Sequence, residues 1–440
     1  MGNGSLLLVI AVAILVFSSR ALLRAFLNPS PGGAILIASM AYLTGASILV
    51  LRDGSEAQVE VLRICCVFLP CFLTGYFGSA RVLGLMLEAP RDRMPDASSH
   101  ATSRGWLWAF FLVMLGVVAT AIYVSGTDAI LAALYQFIFV GDTGVSVMEL
   151  RMGFYTGEGG YFAPGYIKQL RDVLLPLSAM LLLFSVPRPR WQMLGLMIWV
   201  VPLVALLMIS SGGRGDVMMF LLATAYAAML AIRMKVANRV TILAPLVFIV
   251  IVGGSVFGAM TSTYTNRGYD DASMGGIFLD RVVTTVPSEN VTTFPAWSKG
   301  APSVGAGWIS ELSTILPGKK LVLSTLLHEE MGGGDKGNSV LGMWMDVFFN
   351  FDWILGTVVA FLIGVYFAVY SHWVNSRRIQ SPVAAICGLW ISLTLVNVYS
   401  PFGFVLYGPF VLSGVLWLIT RQGRKPWPSQ GVHREVATHG

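Results

Sequence analysis

Charged residues are scarce in this 440-residue chain, where Asp, Glu, Lys and Arg together make up 12% of the sequence. Soluble domains carry about 25% charged residues, so this chain lacks the polar surface that a water-soluble enzyme of its size needs. Hydrophobic residues make up 55%, which excludes a disordered protein. Cysteine is also rare: the four cysteines cannot form a disulfide scaffold, and no CxxC or Cys–His spacing indicates zinc.

The apolar residues fall into runs long enough to cross a bilayer, which takes about 20 residues as a helix. A run such as Leu246 to Val252 does not alternate as a transmembrane β-strand would. We therefore predict an all-α polytopic membrane protein with 11 transmembrane helices, or at most 12. The predicted spans are 4–19, 33–51, 60–79, 105–124, 172–187, 191–210, 217–233, 241–260, 352–374, 382–399 and 402–420.

The placement of Lys and Arg predicts the orientation of these spans, because cytoplasmic loops carry the excess of positive charge. With the C-terminus in the cytoplasm, the opposite short loops hold only Arg52 and Arg214. We expect the N-terminus outside and, since no cationic region precedes the first apolar run, no cleaved secretory signal. The cytoplasmic set is Arg20, Arg24, Arg81, Arg91, Arg93, Arg104, Arg188, Arg190, Arg233, Lys235, Arg239, Arg377, Arg378 and the tail.

The spans divide the chain into membrane units and two large outer segments, and long loops in a compact bundle are usually functional or disordered. The first outer segment contains Thr127–Val140, which is too short to span and is expected to lie in the interface. The predicted units are N-terminal spans 1–124, first periplasmic segment 125–171, central spans 172–260, large periplasmic loop 261–351, C-terminal spans 352–420 and a basic cytoplasmic tail 421–440.

A glycine-rich turn, Ser210 to Asp216 (SSGGRGD), separates two strongly apolar runs. An arginine at the mouth of a helix hairpin is costly unless it faces water, a partner or an anion. Glycines let a ligand approach the backbone, and helix N-termini favour anions because their amides are unpaired. We interpret Arg214 as a diphosphate-binding residue. In the alternative interpretation, Arg214 extends to the interface and Asp216 caps the next helix; the two interpretations are compatible.

Two places in the chain resemble the oligosaccharide repeat-unit polymerases, the O-antigen polymerases of the Wzy type, to which the O-antigen ligases are related. One is 211–215 (SGGRG), similar to the small-residue–Arg–Gly turn of that family. The other is 337–342 (GNSVLG) followed by 348–351 (FFNF) and a span, similar to the family's glycine-containing approach and aromatic–Asn–Phe step. Many members have glycine after that step, where this chain has Asp352. The layout of spans and loops is similar over most of the chain.

The resemblance implies a GT-C-like bundle in the bacterial inner membrane that joins undecaprenyl-diphosphate-linked oligosaccharides on the periplasmic face into a surface polysaccharide. It implies transfer without a metal or other cofactor. The adjacent Asp270 and Asp271 agree with this, because neighbouring side chains point in different directions and make a poor metal site. The implied partners are the lipid-linked oligosaccharide and bilayer lipids, with room for a regulator of chain length and no nucleic acid.

Such a transfer needs cations on the phosphoryl oxygens and a carboxylate or imidazole that accepts the proton of the attacking hydroxyl. For Arg151, Arg267 and Arg281 the alternative is a salt bridge with a neighbouring acid, and for each aromatic it is interfacial anchoring. The candidate catalytic residues are Arg214, Asp216, Glu158, His328 and Glu329, with Glu330 as a further possible base. The candidate substrate-binding residues are Arg151, Tyr161, Lys168, Arg171, Arg267 and Arg281. Further aromatics for sugar faces are Tyr155, Tyr264, Tyr269, Trp297 and Trp308.

Two other functions stay open: the related ligase reaction, and a non-enzymatic carrier such as a lipid-linked oligosaccharide flippase or exporter subunit. A carrier is expected to bury charge near the midplane beside broken helices, and the sequence shows little of that and no internal repeat. One charged pair within a span, Glu60 and Arg63, is expected to form an ion pair on a single helix face. Nearly all non-cytoplasmic Arg and Lys lie in 125–171 and 261–351 or at Arg214, which favours the polymerase.

Overall fold

A computed structural model of the chain describes residues 3–90, 103–125, 170–209, 214–236, 283–299, 306–311, 342–397 and 409–422, together with residues 327 and 330. Every regular element in these ranges is helical, as predicted, and they contain no β-strand. The helices are α1 (Asn3–Leu27), α2 (Pro31–Arg52), α3 (Glu56–Leu73), α4 (Ser79–Leu83), α5 (Ser103–Ser125), α6 (Leu175–Phe184), α7 (Arg190–Ile209), α8 (Arg214–Arg233), α9 (Thr285–Lys299), α10 (Ala306–Glu311), α11 (Met343–Arg378), α12 (Pro382–Thr394) and α13 (Pro409–Gln422).

Each predicted span overlaps one of these helices, except 241–260, which lies outside the described residues. Within the described ranges, shorter apolar helices accompany four that are long and apolar enough to cross a membrane. The chain is therefore a helical membrane protein, while the count of eleven spans and the GT-C-like bundle stay predictions. The four long helices are Gly4–Leu27, Pro31–Arg52, Glu56–Leu83 and Met343–Arg378.

Local sequence signals set the helix starts. The Ser30 hydroxyl accepts a hydrogen bond from the Gly33 amide at 3.2 Å, and Pro31 occupies the first turn, where its missing N–H costs nothing. Ser55 and Gln58 form a reciprocal capping box at the start of α3. The predicted ion pair between Glu60 and Arg63 is confirmed, with 2.6 Å between Oε1 and Nη1.

The centre of the bundle is the contact of α11 with α2, α3 and the π-helical turn Thr74–Gly78. Small residues on both sides let the backbones approach: a Cβ at Gly364 of α11 would collide with the Phe72 carbonyl, and one at Gly75 of the π-helical turn with the Phe361 carbonyl of α11. Close approach through small residues is typical of helix pairs in membranes, where apolar surface alone gives no driving force between helices. The buried stripe on α11 is Gly356, Ala360, Gly364 and Ala368.

One end of the bundle, which we call the arginine-rich end, gathers α1, α4, α8 and α11 at their C-termini. There the Asn375 amide donates to the Leu87 carbonyl at 2.7 Å, and the Met86 amide donates to His372 Nδ1 at 2.9 Å. Arg378 is buried and donates to the Pro29 carbonyl. This end holds the described members of the predicted cytoplasmic set of Arg and Lys, although the orientation itself stays a prediction.

The other end, which we call the opposite end, is where α3, α8 and the turn before α6 begin. α8 ends beside the arginine-rich end, because Arg233 is close enough to Arg378 for their charges to repel and Tyr226 donates to the Phe26 carbonyl at 2.7 Å. The short connections that join α6, α7 and α8 make these contacting helices antiparallel. The π-helical turn Leu170–Leu174 and the first residue of α8, Arg214, therefore lie at the opposite end.

Helix α11 is two helical pieces, 343–351 and 353–378, joined at Asp352, whose φ of 59° and ψ of −174° are not helical. The sequence predicts the span from 352, and the second piece agrees with it. The first piece, which we call the re-entrant arm, folds back: the Phe348 ring lies against Gly356, and its centroid is 5.2 Å from that of Trp353. The sequence predicts that residues 343–351 belong to the large outer loop. Their packing inside the bundle instead comes from tertiary contacts with residues far away in the chain.

Candidate functional site

The tip of the re-entrant arm lies deep between α2 and α3. The Trp344 indole donates to the Ser39 hydroxyl at 3.0 Å, and its ring stacks on Tyr42 with 4.1 Å between centroids. At a rise of about 1.5 Å per residue, Tyr42 is about 15 Å from either end of α2. The arm therefore starts near the middle of the membrane-spanning layer. Broken helices of this kind occur in membranes only where protein or a cavity surrounds the interrupted backbone.

A buried carboxylate occupies the first turn of the arm. Asp346 is 2% exposed; its Oδ2 accepts from Trp308 Nε1 at 2.6 Å, and its Oδ1 accepts from Asn350 Nδ2 at 3.3 Å. A negative side chain near a helix N-terminus also complements the helix dipole. Gly307 of α10 lies so close to the Asn350 side chain that a Cβ would not fit. α10 is thereby fixed against the arm.

Asn290 of α9 completes this group, which we call the Asp346 cluster (Asp346, Asn350, Trp308, Asn290 and Gly342). Asn290 is fully buried, and its Oδ1 accepts from the Gly342 amide at 3.2 Å, satisfying an N–H that the arm's own helix leaves open. α9 also packs against α2, where a Cβ at Gly45 would strike the Val283 carbonyl. Parts of the predicted outer loop 261–351 therefore form the wall of a polar site inside the bundle.

Trp308 is the partly exposed member of the cluster. Its indole N–H is held by Asp346, while its ring meets Phe351 edge-on with 4.8 Å between centroids. A tryptophan oriented by a hydrogen bond at one edge keeps a large flat face for packing. Trp308 is predicted from the sequence to pack against the face of a sugar, and this geometry is compatible with that role.

Arg171, a predicted substrate-binding residue, lies in the π-helical turn before α6. Its side chain is 1% exposed, and its Nε is 2.7 Å from Oδ1 of Asp172. The neighbouring acid therefore forms an ion pair with Arg171, and its substrate-binding role stays a prediction. Burying a cation is costly unless partners compensate it, and π-helical turns are often found at functional sites.

Arg214 is the first residue of α8, two residues earlier than the predicted helix start at Asp216. Asp216 is consequently inside the first turn rather than at the cap, although acidic residues favour that turn as well. The backbone of both residues is described, and their side chains lie outside the described set. The helix N-terminus expected beside Arg214 is present.

The remaining predicted site residues lie outside the described residues. They are Glu158, His328, Glu329, Arg151, Tyr161, Lys168, Arg267 and Arg281. Their roles stay predictions. In the part of the chain that the structure describes, no group of three or more His, Cys, Asp or Glu side chains is arranged to hold a metal ion.

Sequence reasoning missed Asp346, Asn350 and Asn290. A signal was present for the first two, because residues four apart share a helix face, Asp346 precedes the aromatic step 348–351, and Asn350 is the asparagine of that step. Asn290 and Trp308 are 52 and 38 residues from their partners Gly342 and Asp346, so only the fold brings them together.

Comparisons of the chain with protein-family models, curated proteins and solved structures find no match. The functional assignment therefore depends on the chemistry of the site and on the motifs of the sequence.

Proposed function

We propose that the protein is a membrane glycosyltransferase that polymerises oligosaccharide repeat units carried on undecaprenyl diphosphate. The observation that carries the proposal is the separation of its cations. Arg171 and the start of α8 at Arg214 lie at the opposite end. Of the other described arginines in short loops, Arg52 shares that end and the rest lie at the arginine-rich end. A lipid diphosphate carries its charge at the membrane boundary, and guanidinium groups bind phosphoryl oxygens in bidentate geometry.

In the proposed reaction, a hydroxyl of the acceptor repeat unit forms a bond to the anomeric carbon of the donor. The bond between that carbon and the diphosphate oxygen breaks, and its electron pair leaves on undecaprenyl diphosphate. The hydroxyl proton passes to a base, for which Glu158, Asp216, His328 and Glu329 are the candidates. Arg214 stabilises the charge that develops on the leaving diphosphate, and no metal takes part.

The Asp346 cluster has a positioning role in this proposal. Both oxygens of Asp346 already accept hydrogen bonds, so Asp346 acts through Trp308, whose ring packs against a sugar of the bound repeat unit. The turn at Asp352 also supports the resemblance to the O-antigen polymerases. Many of those proteins have glycine there, and a φ of 59° is a conformation that glycine adopts readily.

A carrier is the second candidate, because the re-entrant arm provides the broken helix and mid-depth carboxylate that carriers use. The polymerase is favoured because Trp308 and Asn350 already donate hydrogen bonds to both oxygens of Asp346. A group that must exchange an ion or a headgroup during transport would be expected to face a cavity instead.

The test is incubation of the purified protein with defined lipid-linked repeat units, with and without a chelator, followed by measurement of glycan length. We expect products of two or more units that the chelator does not reduce. A ligase would extend only a different acceptor, and a carrier would move the lipid-linked unit across a vesicle membrane without lengthening it. Either of those results would overturn the polymerase assignment.

The positioning role is tested in the same assay with Asp346→Ala, Asp346→Asn and Trp308→Ala. Asn keeps an oxygen for the Trp308 indole, so Asp346→Asn should stay close to wild type. Asp346→Ala and Trp308→Ala should both raise KM for the repeat unit several-fold with a smaller change in kcat. Equal loss of kcat in Asp346→Ala and Asp346→Asn would instead assign the carboxylate a direct chemical role. The matched control is Asp352→Asn, at an exposed aspartate.

A further inference from the structure

A cavity with charged residues at its rim lies at the arginine-rich end. It has a volume of about 240 Å³ and lies between the last turns of α1, the start of α2, the π-helical turn after α3 and the segment that follows α4. Pockets for small-molecule ligands are usually about 300–1,000 Å³, so this one suits a small group or part of a larger molecule. Its charged lining residues are Arg20, Arg24 and Glu88.

The floor of the cavity is rigid and buried. Ser30, Tyr76 and Leu36 are each at most 3% exposed, and a Cβ at Gly32 would collide with the Tyr76 ring. The first amides of α2 are already used, because Gly32 N donates to Ser371 Oγ at 2.8 Å and Gly33 N donates to Ser30 Oγ. The arginines, rather than the helix N-terminus, therefore supply the positive charge.

The lining residues follow a fixed order along the axis of α1, from its C-terminal end inward. Glu88 precedes Ala89, whose carbonyl accepts from Asn28 at the end of α1. Arg24 lies four residues before Asn28 and Arg20 lies four residues deeper, and each of these steps is about 6 Å along the helix. Phe17 lies a further turn inward and is 87% exposed. The order from the surface inward is acid, two cations, then an exposed apolar ring.

This order matches one kind of ligand. A phospholipid with an amine headgroup carries an ammonium outermost, a phosphate beneath it and acyl chains below. The helix α1 faces lipid, because only 11% of its apolar window is buried in the protein. In the part of the chain that the structure describes, neither Arg20 nor Arg24 forms an ion pair. A bound phosphate would neutralise them, and the ammonium would meet Glu88.

We propose that this cavity binds the headgroup of a phospholipid that carries both a phosphate and a primary amine, of the phosphatidylethanolamine class. Arg20 and Arg24 bind the phosphate oxygens, Glu88 accepts hydrogen bonds from the ammonium, and an acyl chain lies along Phe17. An anionic lipid without an amine would leave Glu88 facing the phosphate without compensation. The proposal is independent of the glycosyltransferase assignment.

The test measures lipid retention by native mass spectrometry of the full-length protein, exchanged into vesicle-derived mixtures of phosphatidylethanolamine, phosphatidylglycerol and phosphatidylcholine. We expect at least about fivefold preference for phosphatidylethanolamine, the scale of one basic residue near a charged membrane surface. The double variant Arg20→Gln/Arg24→Gln should lose retention of both phosphatidylethanolamine and phosphatidylglycerol. Glu88→Gln should abolish the preference for the amine lipid while keeping the phosphate-dependent part.

The matched control is Arg81→Gln, at an exposed arginine of the same end that does not line the cavity; it should behave as wild type. Soluble O-phosphoethanolamine should fail to displace the lipid, because it lacks the chain that contacts Phe17. Displacement by that soluble headgroup would overturn the assignment to a lipid. Equal retention of the three lipids in wild type, or an effect of Arg81→Gln as large as that of the double variant, would overturn the site.

Discussion

The two ends of the bundle are built from different kinds of contact. At the arginine-rich end, Asn28, Asn375 and Arg378 donate to backbone carbonyls of neighbouring turns. These hydrogen bonds hold the helix ends together, and the cations around them remain at the interface. Between the middle of the bundle and the opposite end, Trp308 binds Asp346 side chain to side chain, around a helix that starts inside the bundle. The first arrangement anchors helices, and the second builds a polar interior on which chemistry can depend.

The two ends of α8 give the sharpest contrast, since each carries one arginine. Arg214→Ala should reduce polymer formation at least about 100-fold, because loss of one fixed donor to a developing oxyanion costs about 10²–10³ in kcat. Arg233→Ala, at the other end of the helix, should leave it unchanged. Arg214→Lys should rescue poorly, because a point charge does not reproduce the bidentate guanidinium.

The measurement is glycan length in cells or with purified protein, with membrane insertion and accumulation checked by immunoblot. Wild-type glycan from Arg214→Ala would refute the catalytic assignment, and equal losses from both variants would show a structural effect of the helix.

The packing that joins the two ends is tested within one π-helical turn. Gly75→Ala should destabilise the protein by about 1–3 kcal/mol, the cost of overpacking, because its Cβ meets the Phe361 carbonyl of α11. Gly78→Ala should be close to neutral, since nothing lies within 4 Å of that Cβ. Thermal unfolding in detergent distinguishes them. Similar midpoints for the two variants would contradict the close backbone contact.

The turn of the re-entrant arm offers a smaller, stabilising change. A non-glycine residue at a φ of 59° and ψ of −174° costs about 1–3 kcal/mol, and glycine recovers part of this while adding chain entropy to the unfolded state. Asp352→Gly should raise the unfolding free energy by about 1 kcal/mol, while Asp352→Ala should not raise it. A lower melting temperature for Asp352→Gly than for Asp352→Ala would show that the carboxylate matters more than the backbone.

The smallest effect is expected at the C-terminus. The basic tail from Arg421 is predicted to set topology and contact anionic lipid, so truncation after Gly423 should leave polymer formation within about twofold of wild type. The assay is the same measurement of glycan length. Loss of polymer on truncation would instead show that the arginine-rich end has a role in the reaction.

The sequence was sufficient for features that local residues determine. Ser30–Pro31 and Ser55–Gln58 mark helix starts by their chemistry, and the pair of Glu60 and Arg63 follows from helix geometry. Composition alone predicted a helical membrane protein. The predicted start of α8 at Asp216 is two residues too late, because Arg214 takes the first helical position.

The re-entrant arm could not be predicted in the same way. Nine residues are too few to span a membrane, so 343–351 read as the end of a loop. Its direction depends on the backbone of Asp352, which the contact of Phe348 with Gly356 holds in place. Asp346 gains its partner from a helix 38 residues earlier, which no local pattern encodes. Of the predicted catalytic and substrate-binding residues, Arg171 and the backbone at Arg214 and Asp216 are described, and they share one end of the bundle.

The joint at Asp352 has a consequence for local stability. It interrupts the helical backbone of α11, so the two pieces need not open together. Beyond the joint, Gly364 packs against the end of α3, whereas the arm is held by hydrogen bonds to α2, α9 and α10. Amide protons of 343–351 should therefore exchange with solvent deuterium in a separate cooperative step from those of 356–374, and binding of a glycan beside Trp308 should slow the first step alone.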